Sequence, residues 1–330
     1  MKKHVLIFFF TLIIQLGFSQ SVTMLSAGTK SSLRGLSVVN NQVIWVSGSN
    51  GTIGRSIDGG KNWNWTAVKG FEKTDFRDIE AFDDQTAIIM GISEPAHILR
   101  TVDGGNTWTM VFEDSTKGMF LDAMEFKNEK EGRVIGDPIG GRLFIAQTTD
   151  GGQHWTKETW KNRPIVDSGE ACFASSGSNI RYLNKRWHMI TGGLSSKLYK
   201  GKNGLILPMI QGKETTGANS IAGNNQQMLM IVGGDFNNID ATTQNIAISH
   251  NGGKTFQNAS VPPHGYRSCI EYIDNKEWIT CGLNGVDISK DNGKTFTLIS
   301  NTGFHVCRKA KKGTAVFFAG GGGRIGLLRK

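Results

Sequence analysis

The sequence predicts an all-β fold, a seven-bladed β-propeller of four-stranded antiparallel blades. Three observations carry that expectation. An Asp/Asn-Gly turn motif recurs with a period in the forties to fifties, which marks one supersecondary unit per repeat. The stretches around each copy are short, alternating and interrupted by Gly, Asn and Asp, which reads as strands rather than helices. Glycine supplies 43 of the 330 residues and proline only 6. That excess fits many tight turns and not a collagen or a disordered linker.

The first residues are set apart from the fold. Lys2 and Lys3 precede an apolar run from Val5 to Ile14 that only Thr11 interrupts. Gly17 and Ser19 are small residues suited to cleavage after Ser19. Residues 1–19 are therefore expected to be a secretory signal peptide, too short to span a bilayer. Residues 20–330 are expected to form a single propeller domain, exported to the periplasm or beyond it. No cysteine follows the cut, which argues against a lipid anchor, and no later stretch has transmembrane length. The leader carries two of the 37 basic residues and none of the 28 acidic ones, so the net charge falls from +9 to +7. That balance favours anionic partners and specifies none.

The repeated motif comes next. Ser56-Ile57-Asp58-Gly59-Gly60-Lys61-Asn62-Trp63 recurs as Thr101-Val102-Asp103-Gly104-Gly105-Asn106-Thr107-Trp108 and as Thr149-Asp150-Gly151-Gly152-Gln153-His154-Trp155. Later copies are Ser249-His250-Asn251-Gly252-Gly253-Lys254-Thr255-Phe256 and Ser289-Lys290-Asp291-Asn292-Gly293-Lys294-Thr295-Phe296. A worn copy, Lys200-Gly201-Lys202-Asn203-Gly204, lies between them. The Asp is expected to accept hydrogen bonds from backbone N–H groups two and three residues on. The glycines supply positive φ, and the aromatic opens the next strand. This is the chemistry of a turn that closes its own hairpin, not of a catalytic acid or a calcium ligand.

Four strands surround each motif. In the second repeat they run near Arg77–Ala81, Ala87–Gly91, His97–Thr101 and Trp108–Phe112. In the sixth they run near Ser268–Ile273, Glu277–Gly282, Gly285–Ser289 and Phe296–Ile299. First strands begin near Arg34, Arg77, Leu121, Glu170, Asn219, Arg267 and His305, which makes seven blades. The last repeat runs out at Arg324–Leu328, after a third strand. The spare segment Val22–Leu25 is expected to supply the fourth and close the ring. A six-bladed ring is the alternative.

The four cysteines are Cys172, Cys269, Cys281 and Cys307. Cys269 and Cys281 flank a hairpin, so they are either a cross-strand disulfide or a pair of buried thiols. No CxxC, HExxH or clustered His/Cys spacing supports a metal, and no GxGxxG supports a dinucleotide cofactor. Gly320–Gly323 reads as a turn. Scattered basic residues do not form a nucleic-acid face.

The motifs resemble those of the Asp-box (BNR) propellers. The sequence is most similar to secreted bacterial proteins of the photosystem II stability/assembly-factor-like group. The resemblance rests on Ser32-Leu33-Arg34-Gly35-Leu36, Phe76-Arg77-Asp78-Ile79, Gly136-Asp137-Pro138, Gly169-Glu170-Ala171, Gly233-Gly234-Asp235 and Gly265-Tyr266-Arg267-Ser268. It implies a seven-bladed scaffold that binds other proteins, and it does not imply a reaction.

The start of each inner strand marks the candidate site. The pairs Leu33-Arg34, Phe76-Arg77, Tyr266-Arg267 and Phe304-His305 each place an apolar residue before a polar one. Blades six, seven, one and two are neighbours once the ring closes. Arg34, Arg77, Arg267 and His305 are therefore expected to form a basic arc at one channel mouth. Asp78, Asp122, Glu170 and Asp235 are expected opposite. Such an arc either holds a carboxylate or an acidic protein segment, or braces the blades through internal ion pairs. The expected function is a non-enzymatic binding or assembly scaffold of the cell envelope. The alternative is a sialidase-like hydrolase or glycan binder at the same mouth, with Tyr266 as nucleophile and Glu170 as its partner. The Arg-Ile-Pro start motif of sialidases is absent.

Overall fold

The computed structural model describes residues 20–25, 28–224 and 226–329. The leader expected over residues 1–19 lies outside them. Seven antiparallel sheets form among the described residues, one per blade. In blades one to four the strands follow chain order from the axis outward. Blade one is Leu33–Val38, Ile44–Gly48, Thr52–Ser56 and Asn64–Ala67, and blade two is Phe76–Ala81, Ala87–Gly91, Ala96–Thr101 and Thr109–Asp114. Blade three opens with Leu121–Phe126 and blade six with Cys269–Asp274. Blade five opens with Thr216–Gly223, and its outermost strand is reduced to one bridge between Ile248 and Gln257.

Blade seven closes the ring. Its strands Val306–Lys309, Val316–Ala319 and Ile325–Arg329 are completed by Ser21–Leu25, which pairs antiparallel with the last of them from Ser21↔Arg329 to Leu25↔Ile325. The edge of the Ile325–Arg329 strand is thereby paired, and Ser21–Leu25 becomes the outermost strand of the blade.

Five turn motifs connect third to fourth strands, with one chemistry throughout. Ser56 Oγ donates to Asp58 Oδ1 at 2.9 Å and accepts from the Gly60 N–H, while Asp58 accepts from the N–H groups of Lys61 and Asn62. Asn251 does the same for Lys254 and Thr255. The carboxylate thus reaches three and four residues on, not the expected two and three. The reason is that the preceding hydroxyl already takes the nearer N–H groups. Hydrogen bonds from Asn62 hold the Asp58 carboxyl down at about 2, and those from Thr107 hold that of Asp103 at about 2.

The second glycine of each motif packs on the preceding blade. A Cβ on Gly152, where φ is +77°, would lie 2.2 Å from Ile88 of blade two. Polar reach reinforces this seam. Arg100 Nε donates to the Gly151 carbonyl, and Lys200 Nζ donates to those of Gly252 and Gly253. The repeat is therefore also the joint between blades. Apolar layers fill the same seams: Trp45, fully buried, packs among Ile79, Ala87, Ile89 and Leu99, between blades one and two.

Blade four departs from the expected pattern. Its inner strand is Ile180–Leu183, not a strand from Glu170. Glu170–Ala171 is a two-residue strand paired with Gly192–Gly193. Between the two, the small residues Ala174-Ser175-Ser176-Gly177-Ser178 cross the axis. Ser176 Oγ donates to the Ser268 carbonyl of blade six, and Ser178 Oγ to Ser220 Oγ of blade five. Arg308 of blade seven donates to the Ser176 carbonyl at 2.6 Å. A Cβ on Gly177 would lie 2.3 Å from the Asp78 carboxylate of blade two. This segment plugs the channel, so the two mouths are separate cavities.

Cys269 and Cys281 face each other in register, and all four cysteines are buried free thiols.

Candidate functional site

A bulge aims the side chains of the mouth. In blades one, two, three and five the ladder slips after the first paired residues, between Leu33 and Gly35, Phe76 and Asp78, Leu121 and Ala123, and Ala218 and Ser220. The extra residue of each slip is Arg34, Arg77, Asp122 or Asn219. A bulge turns its residue out of the pleat, here toward the axis. His305 and Ser268 occupy the corresponding places in blades seven and six.

Arg267 does not occupy that place. Its N–H donates to the Gly233 carbonyl, as the N–H of Leu33 does to Gly320 and that of Phe304 to Gly282. Arg267 is therefore the counterpart of Leu33 and Phe304, one residue ahead of the axial position. A shift of one residue reverses the face of a strand. The side chain is fully buried between blades. Its Nε donates to Asp287 Oδ2 at 2.6 Å, Nη1 donates to the Tyr266 carbonyl and Asn284, and Nη2 to the His264 carbonyl. Asp287 also holds His264 Nδ1 at 2.6 Å. Arg267 braces the blade and is absent from the arc.

The axial residues surround a cavity of about 420 Å³. Arg34, Arg77 and His305 form its basic side. Arg77 Nε pairs with Asp75 at 2.8 Å, and its guanidinium lies over the Phe120 ring at 5.8 Å. Arg34 makes no hydrogen bond or close ion pair among the described residues. Burial and the neighbouring Arg77 press its pKa down. Burial, then Arg34, Arg324 and Arg77, lower that of His305 to about 3, so this ring is neutral at ordinary pH. Its Nε2 lies 3.3 Å from Ser32 Oγ.

The remaining wall is apolar and aromatic. Phe173 meets Phe236 edge-on at 5.6 Å, and Phe236 meets Tyr266 at 6.3 Å. Tyr266 donates its hydroxyl to Asn219 Oδ1 at 2.8 Å, and burial raises its pKa. Asp137 is the acid of the wall.

Of the nine residues expected at the mouth, the cavity brings together Arg34, Arg77, Tyr266 and His305. Asp78 faces the opposite cavity, where it accepts from the N–H groups of Ile79 and Met124. Asp122 holds an axial place but is fully buried behind the wall. Glu170 is consumed by an internal cluster: it accepts from Thr191 and Tyr199 and pairs with Lys197 at 2.7 Å. Asp235 caps its own turn through the Asn237 N–H. Glu170 is thus not placed as a partner for Tyr266, and the mouth holds two arginines rather than three. Asp137, Asn219, Ser268 and the phenylalanines were not expected there. Asp137 had a signal: Gly136-Asp137-Pro138 spans a ladder slip, and the bulge presents its side chain.

No family model matches the sequence, and no curated protein matches it. Solved structures do. The chain is similar to YCF48 bound to D1 peptide, with a TM-score of 0.63 at 15% identity over 96% of each chain. YCF48 from Cyanidioschyzon merolae gives 0.60 at 15% identity, over 94% of this chain and 99% of that one. The Neurospora crassa Pan2 WD40 domain gives 0.65 at 11% identity, over 94% and 96%. At these identities the likeness is one of fold.

Proposed function

We propose that the protein is an exported, non-enzymatic scaffold that holds a protein partner in the cell envelope by an acidic group at the Arg34–Arg77 mouth. One observation carries the reading: Arg34, largely buried and beside a second guanidinium, has no anion of its own. The two cations have one carboxylate between them, Asp75, and it pairs with Arg77, so the excess positive charge is costly and an arriving carboxylate offsets that cost. A rigid propeller presents these groups without ordering loops on binding. The peptide-bound neighbour of the same fold is consistent with such use of the ring.

The test compares proteins that co-purify from one envelope extract with the wild type, Arg34→Ala and Arg34→Glu. The expected result is a partner lost from both variants, more completely from Arg34→Glu, at unchanged melting temperature. Retention of the same partners by Arg34→Glu would overturn the reading.

A further inference from the structure

The cavity is not uniformly basic. Asp137 faces it from blade three, next to the side that carries Arg77 and Phe120. One oxygen, Oδ1, accepts from the Cys172 N–H at 2.9 Å. The other makes no hydrogen bond among the described residues, and no Lys, Arg or His lies in ion-pair range of either. Burial raises the pKa of this carboxyl, and the hydrogen bond from the Cys172 N–H acts against it. The mouth thus contains an unpaired guanidinium on one side and an unpaired carboxylate on another. The phenylalanine and tyrosine wall spans the space between.

Each charge alone is a cost of burial, and the two do not relieve each other by direct contact. A ligand carrying both complementary charges satisfies both at once, and a plain anion leaves Asp137 uncompensated or repelled. From this geometry we infer that the mouth recognises a zwitterionic group: a carboxylate for Arg34 and Arg77, and an ammonium or guanidinium for Asp137, on an apolar or aromatic body. The inference rests on the reading of Arg34 as an anion-binding residue and adds the cation, which that reading does not require. The volume of about 420 Å³ suits one amino-acid residue or a short side-chain cluster rather than a folded surface. The same chemistry is offered by a free aromatic amino acid or by a peptide segment with a basic residue beside a terminal carboxylate.

Calorimetric titration with three probes tests this: phenylalanine, N-acetyl-phenylalanine and the dipeptide N-acetyl-Lys-Phe. The first and third carry both charges, and the second only the carboxylate. Binding of phenylalanine at least about tenfold tighter than its acetylated form, the scale of one charged hydrogen bond, supports a free amino acid as the source. The same preference for N-acetyl-Lys-Phe supports a peptide source. In either case Asp137→Asn should abolish the preference, and Arg34→Ala should weaken every probe. Equal binding of N-acetyl-phenylalanine, insensitive to Asp137→Asn but still lost in Arg34→Ala, sinks the zwitterion and leaves the anion site standing. Absence of binding by all three at millimolar concentration overturns the inference, because it asserts that the pocket itself supplies the recognition.

Discussion

Arg34 and Arg267 are arginines at the start of an inner strand, separated in role by one position of register. Arg267 spends four donor contacts on Asp287, Asn284 and two carbonyls, and both members of its ion pair are fully buried. Arg34 spends none among the described residues. Replacing Arg267 by Ala leaves Asp287 in the interior with only His264, half-exposed, to answer it. The expected loss is about 3–5 kcal/mol, as for a broken buried pair. Replacing Arg34 by Ala removes a cation that Arg77 repels, so melting should hold or rise. Thermal denaturation of the two variants side by side checks the contrast. A sharp drop for Arg34→Ala would make it a second brace rather than a binding residue.

At the scale of the element, two devices organise the ring. The bulge near the start of an inner strand selects which residue faces the axis, and the strand from the N-terminal segment completes the last blade. Val22 and Leu25 point to opposite faces of their strand and pack on the apolar cluster that joins blades six, seven and one, with Leu25 approaching Gly60 of the first turn motif. Deleting Ser21–Leu25 uncovers the Ile325–Arg329 ladder and removes that packing. The variant should lose several kcal/mol in chemical denaturation and aggregate through the bared edge. Melting identical to that of the intact chain would show that the closure contributes nothing.

The whole molecule is decided at its axis. Arg308 and the Ser176–Ser178 segment join blades four, five, six and seven across the channel, and Gly177 lies against Asp78 of blade two. Burial behind this plug raises the Asp78 pKa from 3.8 to about 8, against the pull of Arg308 and two backbone N–H groups. A carboxyl whose pKa is raised on folding favours the fold in its protonated form. Its contribution is whole below about pH 4 and declines as pH rises toward 8. Asp78→Asn carries no such charge. It should match the wild type near pH 4 and exceed it in melting temperature at pH 8 to 9. A variant that is less stable throughout that range would mean that the ionised carboxylate is held favourably by Arg308.

Sequence alone determined the repeat and its local consequences. The recurrence of the Asp/Asn-Gly turn gave the period, the starts of the inner strands gave seven blades, and alternation gave the strands. The incomplete last repeat gave the closing strand, because these are properties of neighbouring residues and of chain length. It also placed Arg34, Arg77, Tyr266 and His305 at one mouth, since strand starts in a closed ring share an end. Tertiary structure decided the rest. The axial position of a strand depends on a bulge, and in Tyr266-Arg267-Ser268 the pattern of residue types was one step out of register with the ladder. The diversion of blade four through the channel left no periodic trace, because Ala174–Ser178 is small enough to cross an axis and equally suited to a surface loop. Asp137 and the phenylalanines came to the cavity from other strands and connections. Their proximity is a matter of how seven sheets meet, which no local pattern records.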